Sequence, residues 1–430
     1  MAGRCDFKAL WEFHIRLLRR NSADCLCQTS RGLPSLSSFG SSLSFSEQEV
    51  VNSKPWPSRS ILTAVGSTLQ YGSSLVGRLF RRQPSQVTEE SQPPKPSLRI
   101  LKTKYRGPLR RTNPLNFSLF ASFLDELGTI KNSRKLKFFI FAGGIEPELR
   151  ITLWQYLLGI FPWPSTQVER EQIEKDNLSL YETLRYRAQL LILENKEKVD
   201  VIEKDVIRCD RCNEFFAGEN NVNVDKARKI LLTYFLVLRQ DVSYTQGLTD
   251  YVSIMLLATK GDEATSFWLF FFLLKFMGVF FFESSENQMN RQFNYLIQLI
   301  KDYDPEVFDS LQKKGAQDII FVYRWLLLNF KREFTLYEAL IIFEVIWSMP
   351  TEDYVSSKLD LGPNPYSLFI ALAIVKIHRD AIIELDSSIE VIMYMNNLLG
   401  SLDVNDVLCQ SEELFWNYVR GEIPEKRAIF

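Results

Sequence analysis

Two short polar segments carry residue types that serve phosphoryl transfer. Residues 202–208 end in Arg208, and residues 244–247 place Gln246 before a glycine. An arginine can neutralise charge on a transferred phosphoryl group, and a glutamine can orient the attacking water. The chain has no Gly-x-x-x-x-Gly-Lys phosphate-binding loop. We therefore expect both groups to act on GTP bound by another protein.

Each segment alone also has an ordinary interpretation. Ile202 and Val206 are four residues apart, so a helix would bury both on one face. Asp205 and Arg208 are three apart and can touch. A carboxylate that hydrogen-bonds a guanidinium would hold it in one rotamer, but a plain surface ion pair has the same spacing and contributes little. Spacing alone favours the ordinary interpretation.

Two further segments have residue patterns that are typical of structural roles rather than catalytic ones. The Gly-Gly pair at 143–144 precedes Arg150 and Trp154, which are four residues apart and can stack. Residues 321–334 form an aromatic and leucine stripe at helical spacing, which is typical of a core. Within that stripe, Lys331 and Arg332 are either a partner-facing patch or solvated charges.

The surrounding pattern predicts an all-α domain. From about Asn116 onwards, apolar residues recur at steps of three and four, and no Asn-Gly or Asp-Gly hairpin signal occurs. We place the domain at residues 113–420, with a short tail at 421–430. The most apolar stretch, 267–282, contains Lys275 and is short for a membrane span, so it predicts buried helices.

The first 112 residues differ in composition. Nine of the 17 prolines fall within residues 1–114, and residues 1–115 hold 18 Lys and Arg against seven Asp and Glu. We expect a largely disordered, Ser/Pro-rich basic arm. Within it, apolar residues of the segment 60–82 recur at roughly helical spacing. Three interpretations stay open: an amphipathic helix that docks on an anionic membrane or adaptor, a transient helix with no role, or a strap packed on the main domain.

Composition excludes several classes of function. Six scattered cysteines and no secretory signal pattern favour a reducing compartment. With only two histidines, a His-based metal site is not expected, and Cys209-x-x-Cys212 has no second pair to close a zinc site. The acidic remainder of the chain gives no support for nucleic-acid binding.

Taken in order, the four segments resemble the TBC domain of the Rab GTPase-activating proteins. The matching residues run from about Phe117 to Tyr418 and include Gly143-Gly144, Arg150, Trp154, Ile202, Asp205, Arg208, Tyr244, Gln246-Gly247, Arg324-Trp325, Glu344 and Trp347. No single piece is specific, but the ordered set is.

The resemblance implies a multi-helix Rab-GAP domain with two catalytic side chains. Arg208 would be the arginine finger and Gln246 the glutamine finger. Asp205, Tyr244 and Gly247 would support them, and we add Arg150 and Trp154 as further supporting residues. The chain would activate a partner's GTPase in trans rather than turn over a substrate of its own. It would need no cofactor, because GTP and Mg²⁺ belong to the Rab partner.

Two residues beside the arginine depart from the family pattern. Ile207 stands where many members have proline, and Cys209 where many have threonine. This keeps a second interpretation open: a TBC-shaped helical module that binds a Rab or an adaptor without accelerating hydrolysis. The branch most similar to this chain is linked to endosomal and autophagic traffic. The resemblance thus implies a cytoplasmic protein, peripheral on vesicle membranes.

Overall fold

A computed structural model describes residues 111–277, 285–349 and 365–421. The predictions for the basic arm before residue 111, for its segment 60–82 and for the tail after Gly421 lie outside the described residues.

The described residues form sixteen α-helices. In chain order they are α1 (Phe117–Ala121), α2 (Ser133–Gly143), α3 (Arg150–Leu157), α4 (Gln167–Leu191), α5 (Lys196–Val206), α6 (Val222–Thr233), α7 (Leu248–Ala258), α8 (Glu263–Met277), α9 (Ser285–Tyr303), α10 (Pro305–Lys313), α11 (Tyr323–Leu327), α12 (Leu336–Ser348), α13 (Tyr366–Ile377), α14 (Arg379–Glu384), α15 (Ser388–Met395) and α16 (Val404–Arg420). The described ranges contain no strand, only two isolated β-bridges, Leu115–Ile145 and Leu124–Ile130. The predicted all-α class is confirmed.

Local sequence sets where several helices begin. Thr166 and Glu169 form a reciprocal capping box at the start of α4, and Thr335 and Glu338 do the same for α12. Each box satisfies backbone N–H groups that have no partner within the first helical turn.

The described part of the apolar stretch singled out in the sequence, residues 267–277, contributes to the core, and the rest of that stretch lies outside the described residues. In α8, Phe267, Trp268 and Phe270 are buried, and the Trp268 indole donates to the Asn177 carbonyl at 2.9 Å. Lys275 lies near the end of α8 and is exposed. No helix among the described residues has the length and apolarity needed to cross a membrane.

A buried helix, α7, supports the segment that carries Gln246. It packs against α6, α8 and α12. Tyr251, on its inner face, donates its hydroxyl to the Leu327 carbonyl at 2.7 Å. This buried hydrogen bond ties α7 to the end of α11. The first residues of α7 are buried, and Gln246 in the preceding loop is exposed.

Candidate functional site

Arg208 lies in the turn that follows α5. Ile202 and Val206 are buried on the inner face of that helix, as their spacing predicted. The Arg208 side chain is 67% exposed. Its Nε donates to the Lys204 carbonyl at 2.9 Å, which leaves the guanidinium end pointing outward from the turn.

Gln246 lies in the loop before α7. Gly247 caps that helix with φ of 102°, a left-handed conformation that glycine adopts without strain. A Cβ at this position would lie 3.3 Å from Leu328 Cδ2. Gln246 itself is exposed, and its side chain makes no hydrogen bond within the described part of the chain. An amide so placed is free to meet a partner.

Asp205 joins the two segments. Its Oδ2 accepts hydrogen bonds from the Tyr244 hydroxyl at 2.5 Å, the Thr249 hydroxyl at 2.8 Å and the Gly247 backbone N–H at 3.3 Å. One buried carboxylate oxygen on α5 thus binds donors on both sides of Gln246. Hydrogen bonds to a charged acceptor are the stronger kind, so the glutamine loop is tied to the arginine turn.

Of the two interpretations of the Asp205–Arg208 spacing, the structure shows the ion pair, with Oδ1 at 3.7 Å from Arg208 Nη2. The positioning of Arg208 by Asp205 stays a prediction. The loop donors occupy Oδ2, and the Lys204 carbonyl takes the Nε–H. An ion pair to so exposed an arginine is weak. Asp205 positions the glutamine loop more firmly than the arginine.

Tyr244 is held in its neutral form. Burial raises the pKa of Tyr244 well above its ordinary value, and the negative charge of Asp205 raises it further. The phenol therefore keeps its proton and donates to Asp205. Thr249 Oγ1 lies 2.7 Å from the same phenol oxygen and closes a triangle of polar groups beneath the loop.

The two departures beside Arg208 have different environments. Ile207 is exposed at 64%. Cys209 turns inward, with Sγ 3.3 Å from Asp210 Oδ2 and 3.7 Å from the Thr249 carbonyl. Burial raises the pKa of the Cys209 thiol, so it stays protonated and acts as a donor. No group of three or more side chains that could hold a metal ion occurs in the described ranges.

A buried charge cluster that the sequence did not predict lies next to the site. Lys331 Nζ lies 2.5 Å from Asp210 Oδ2 and 2.7 Å from Asp250 Oδ1. Arg332 Nη2 lies 2.7 Å from Asp250 Oδ2. Lys331 is neither part of a partner-facing patch nor a solvated charge, because only 3% of its side chain is exposed. The available signal was a lysine within a stripe of core residues.

Arg150 and Trp154 converge on a different carboxylate. Arg150 Nε lies 2.6 Å from Glu344 Oε1, and the Trp154 indole donates to the same oxygen at 3.3 Å. The other oxygen accepts the Ile145 backbone N–H at 2.9 Å. Trp154 also meets Trp347 edge-on at 4.9 Å between ring centroids. Within the described residues, neither Arg208 nor Gln246 makes a hydrogen bond or ion pair with this cluster. The cluster ties α3 to α12.

A family model matches a large part of this all-α domain. The family model for the Rab-GTPase-TBC domain matches residues 147–383. The chain belongs to this family.

Individual relatives agree with that assignment. TBC1 domain family member 16 of Homo sapiens is 32% identical over 312 residues, which is 71% of this chain and 39% of that protein. GTPase-activating protein gyp7 of Schizosaccharomyces pombe is 31% identical over 331 residues, 72% of this chain and 43% of that protein. The chain spans less than half the length of each of these relatives.

Solved structures share the fold. The crystal structure of the Ypt/Rab-GAP domain of Gyp1p aligns with a TM-score of 0.58 at 18% identity, over 70% of this chain and 97% of that one. A Chlamydomonas flagellar RabGAP TBC domain aligns with a TM-score of 0.54 at 19% identity, over 69% of this chain and 89% of that one. At these identities the likeness concerns the fold.

Proposed function

We propose that this chain is a GTPase-activating protein for a Rab-family small GTPase and supplies two side chains in trans. The observation that carries the proposal is the Asp205 carboxylate, which ties the turn of Arg208 to the loop of Gln246. Both catalytic candidates are exposed, while Asp205 and Thr249, which help to connect their backbones, are buried. Such an arrangement suits insertion into another protein's nucleotide site.

Each exposed group has a defined chemical role. The Arg208 guanidinium would neutralise charge that develops on the transferred phosphoryl group, and the Gln246 amide would orient the attacking water. GTP and Mg²⁺ would belong to the partner. An arginine finger accelerates hydrolysis by about 10³–10⁵-fold, which corresponds to roughly 4–7 kcal/mol of barrier.

The comparisons support this proposal at the level of the domain. One relative is named a GTPase-activating protein, and the matched family is defined by its relation to Rab GTPases. The chain spans 43% of that relative's length. GTPase-activating activity is therefore assigned to this chain only as part of the proposal. The proposal also includes action in vesicle traffic and contact of the basic arm with an anionic membrane or adaptor. The arm's supporting observation is its excess of Lys and Arg.

The test is a hydrolysis assay across a panel of GTP-loaded Rab proteins. Wild type should accelerate at least one Rab, and Arg208→Lys and Gln246→Ala should each remove most of that acceleration. Matched controls on the exposed part of α4, Arg185→Lys and Gln172→Ala, should behave as wild type. A Rab that binds in its GTP form without faster hydrolysis would instead identify a binding module.

A further inference from the structure

One buried lysine contacts an acidic residue just beyond each segment of the proposed catalytic site. Lys331 lies in the turn between α11 and α12, and its ammonium reaches Asp210 at 2.5 Å and Asp250 at 2.7 Å. Asp210 comes two residues after Arg208, in the same turn. Asp250 lies in the first turn of α7, four residues after Gln246. A single charged group therefore connects the two segments.

The carboxylate of Asp250 is held by a second cation as well as by Lys331. Arg332 binds both oxygens of Asp250, with Nη2 donating to Oδ2 at 2.7 Å and Nε to Oδ1 at 3.2 Å, so that carboxylate has little freedom. Burial would lower the pKa of Lys331, but Asp250 and its other neighbours outweigh this and the net pKa is raised. The lysine stays charged, and charge pairs are stronger in a buried setting.

This connection is separate from the one through Asp205. Asp205 lies three residues before Arg208 and bonds to Tyr244, Thr249 and Gly247. Asp210 lies two residues after Arg208 and reaches α7 through the charged Lys331, beside the weaker contact of Cys209 Sγ with the Thr249 carbonyl at 3.7 Å. A turn held on one side can pivot, whereas a turn held on both sides has a fixed direction.

We propose that Lys331 is a positioning residue that holds the turn bearing Arg208 at a fixed distance from the loop bearing Gln246. This rests on the proposed function, since its effect on rate requires that both side chains act on one GTP. Lys331 itself touches neither nucleotide nor partner, because its side chain is buried.

The variants separate positioning from general stability. Lys331→Met removes the bridge and keeps the chain length of the side chain. Asp210→Asn removes only the arm toward the arginine turn and lies nearer the surface, with 19% of its side chain exposed, so it serves if the first variant does not fold. Lys314→Met is the matched control: that lysine bonds carbonyls of α14 at Ile382 and Ile383.

The first measurement is a rate assay on the full chain with a responsive Rab. We expect Lys331→Met and Asp210→Asn to lower kcat by about tenfold to a hundredfold, as for a misplaced catalytic group. KM and the affinity for the GTP-bound Rab should stay unchanged, and so should both constants of Lys314→Met. Wild-type kcat in both bridge variants, beside an active wild type, would overturn the inference and leave the proposed function standing.

The second measurement needs no catalysis. Amide hydrogen exchange of the free protein should rise in both segments, 207–212 and 244–250, when Lys331 is replaced. If wild type activates no Rab, the proposed function fails, and exchange alone then decides whether Lys331 clamps the two segments. Unchanged exchange there, or a uniform rise across the domain, would refute the clamp.

Discussion

The Tyr244 hydroxyl donates to the Asp205 carboxylate at 2.5 Å and so joins two segments that lie 39 residues apart in sequence. Tyr244 stands two residues before Gln246, and Asp205 stands three before Arg208. The bond therefore connects the supports of both proposed catalytic groups. Removing it should affect stability and rate together.

Replacing Tyr244 by phenylalanine tests that bond. A hydrogen bond to a charged group contributes about 1.5–3 kcal/mol, so Tyr244→Phe should lower the free energy of unfolding by roughly this amount. We also expect the variant to lose ~1.4 kcal/mol of transition-state stabilisation, which lowers kcat about tenfold. Denaturant unfolding and the Rab assay measure the two effects. Tyr394→Phe, which removes a hydroxyl bonded to His378, is the control, and an equal kcat for both variants would contradict the expectation.

The left-handed conformation of Gly247 predicts a second effect. Gly247→Ala should cost about 1–2 kcal/mol of stability from backbone strain. Because the new Cβ also lies 3.3 Å from Leu328 Cδ2, either that side chain or the loop must move by a few tenths of an ångström, and we expect the movement to lower kcat. Gly400→Ala is matched in φ, at 81°, but has nothing within 4 Å of its Cβ. It should lose similar stability with kcat intact, and a loss of kcat in both would argue against a local effect.

Arg150 is expected to act on stability. It pairs with Glu344, which is fully buried, and burial raises the pKa of that carboxyl despite the arginine. Arg150→Met leaves the carboxylate without its cation, a change that typically costs about 3–5 kcal/mol. The double variant Arg150→Met/Glu344→Gln should recover part of this in thermal unfolding. A fall in kcat of the folded protein would show that Arg150 supports catalysis as well.

The Asp250 cluster predicts a specific pH dependence. Burial acts to raise the pKa of Asp250, but Lys331 and Arg332 outweigh it and the net pKa lies below the usual 3.8. Stability from the ionised form is thus present above pH 3.8 and is lost as pH falls through the folded-state pKa. The stability gap between wild type and Asp250→Asn should be large near neutrality and shrink below pH 3.8. A gap independent of pH would contradict this.

Sequence patterns predicted the helices, and the family resemblance named the two catalytic candidates together with the supporting Asp205, Tyr244 and Gly247. Neither predicted which contacts join these groups. Helical spacing predicted that Ile202 and Val206 are buried, because a periodicity of 3.6 is a local property. The contact of Asp205 with Thr249, or of Lys331 with Asp210, spans 44 or 121 residues and has no local signature. Such pairs form only where the packing of α5, α7 and the turn before α12 brings the segments together.

Whether Arg208 and Gln246 act as a unit on one GTP is tested by single-turnover hydrolysis in a saturated Rab complex. Rates are compared for wild type, Arg208→Lys, Gln246→Ala and the double variant. Groups that serve one transition state are strongly non-additive, so the double variant should be little slower than the slower single variant. Losses that multiply would show independent roles, and single variants as fast as wild type would contradict the proposed mechanism.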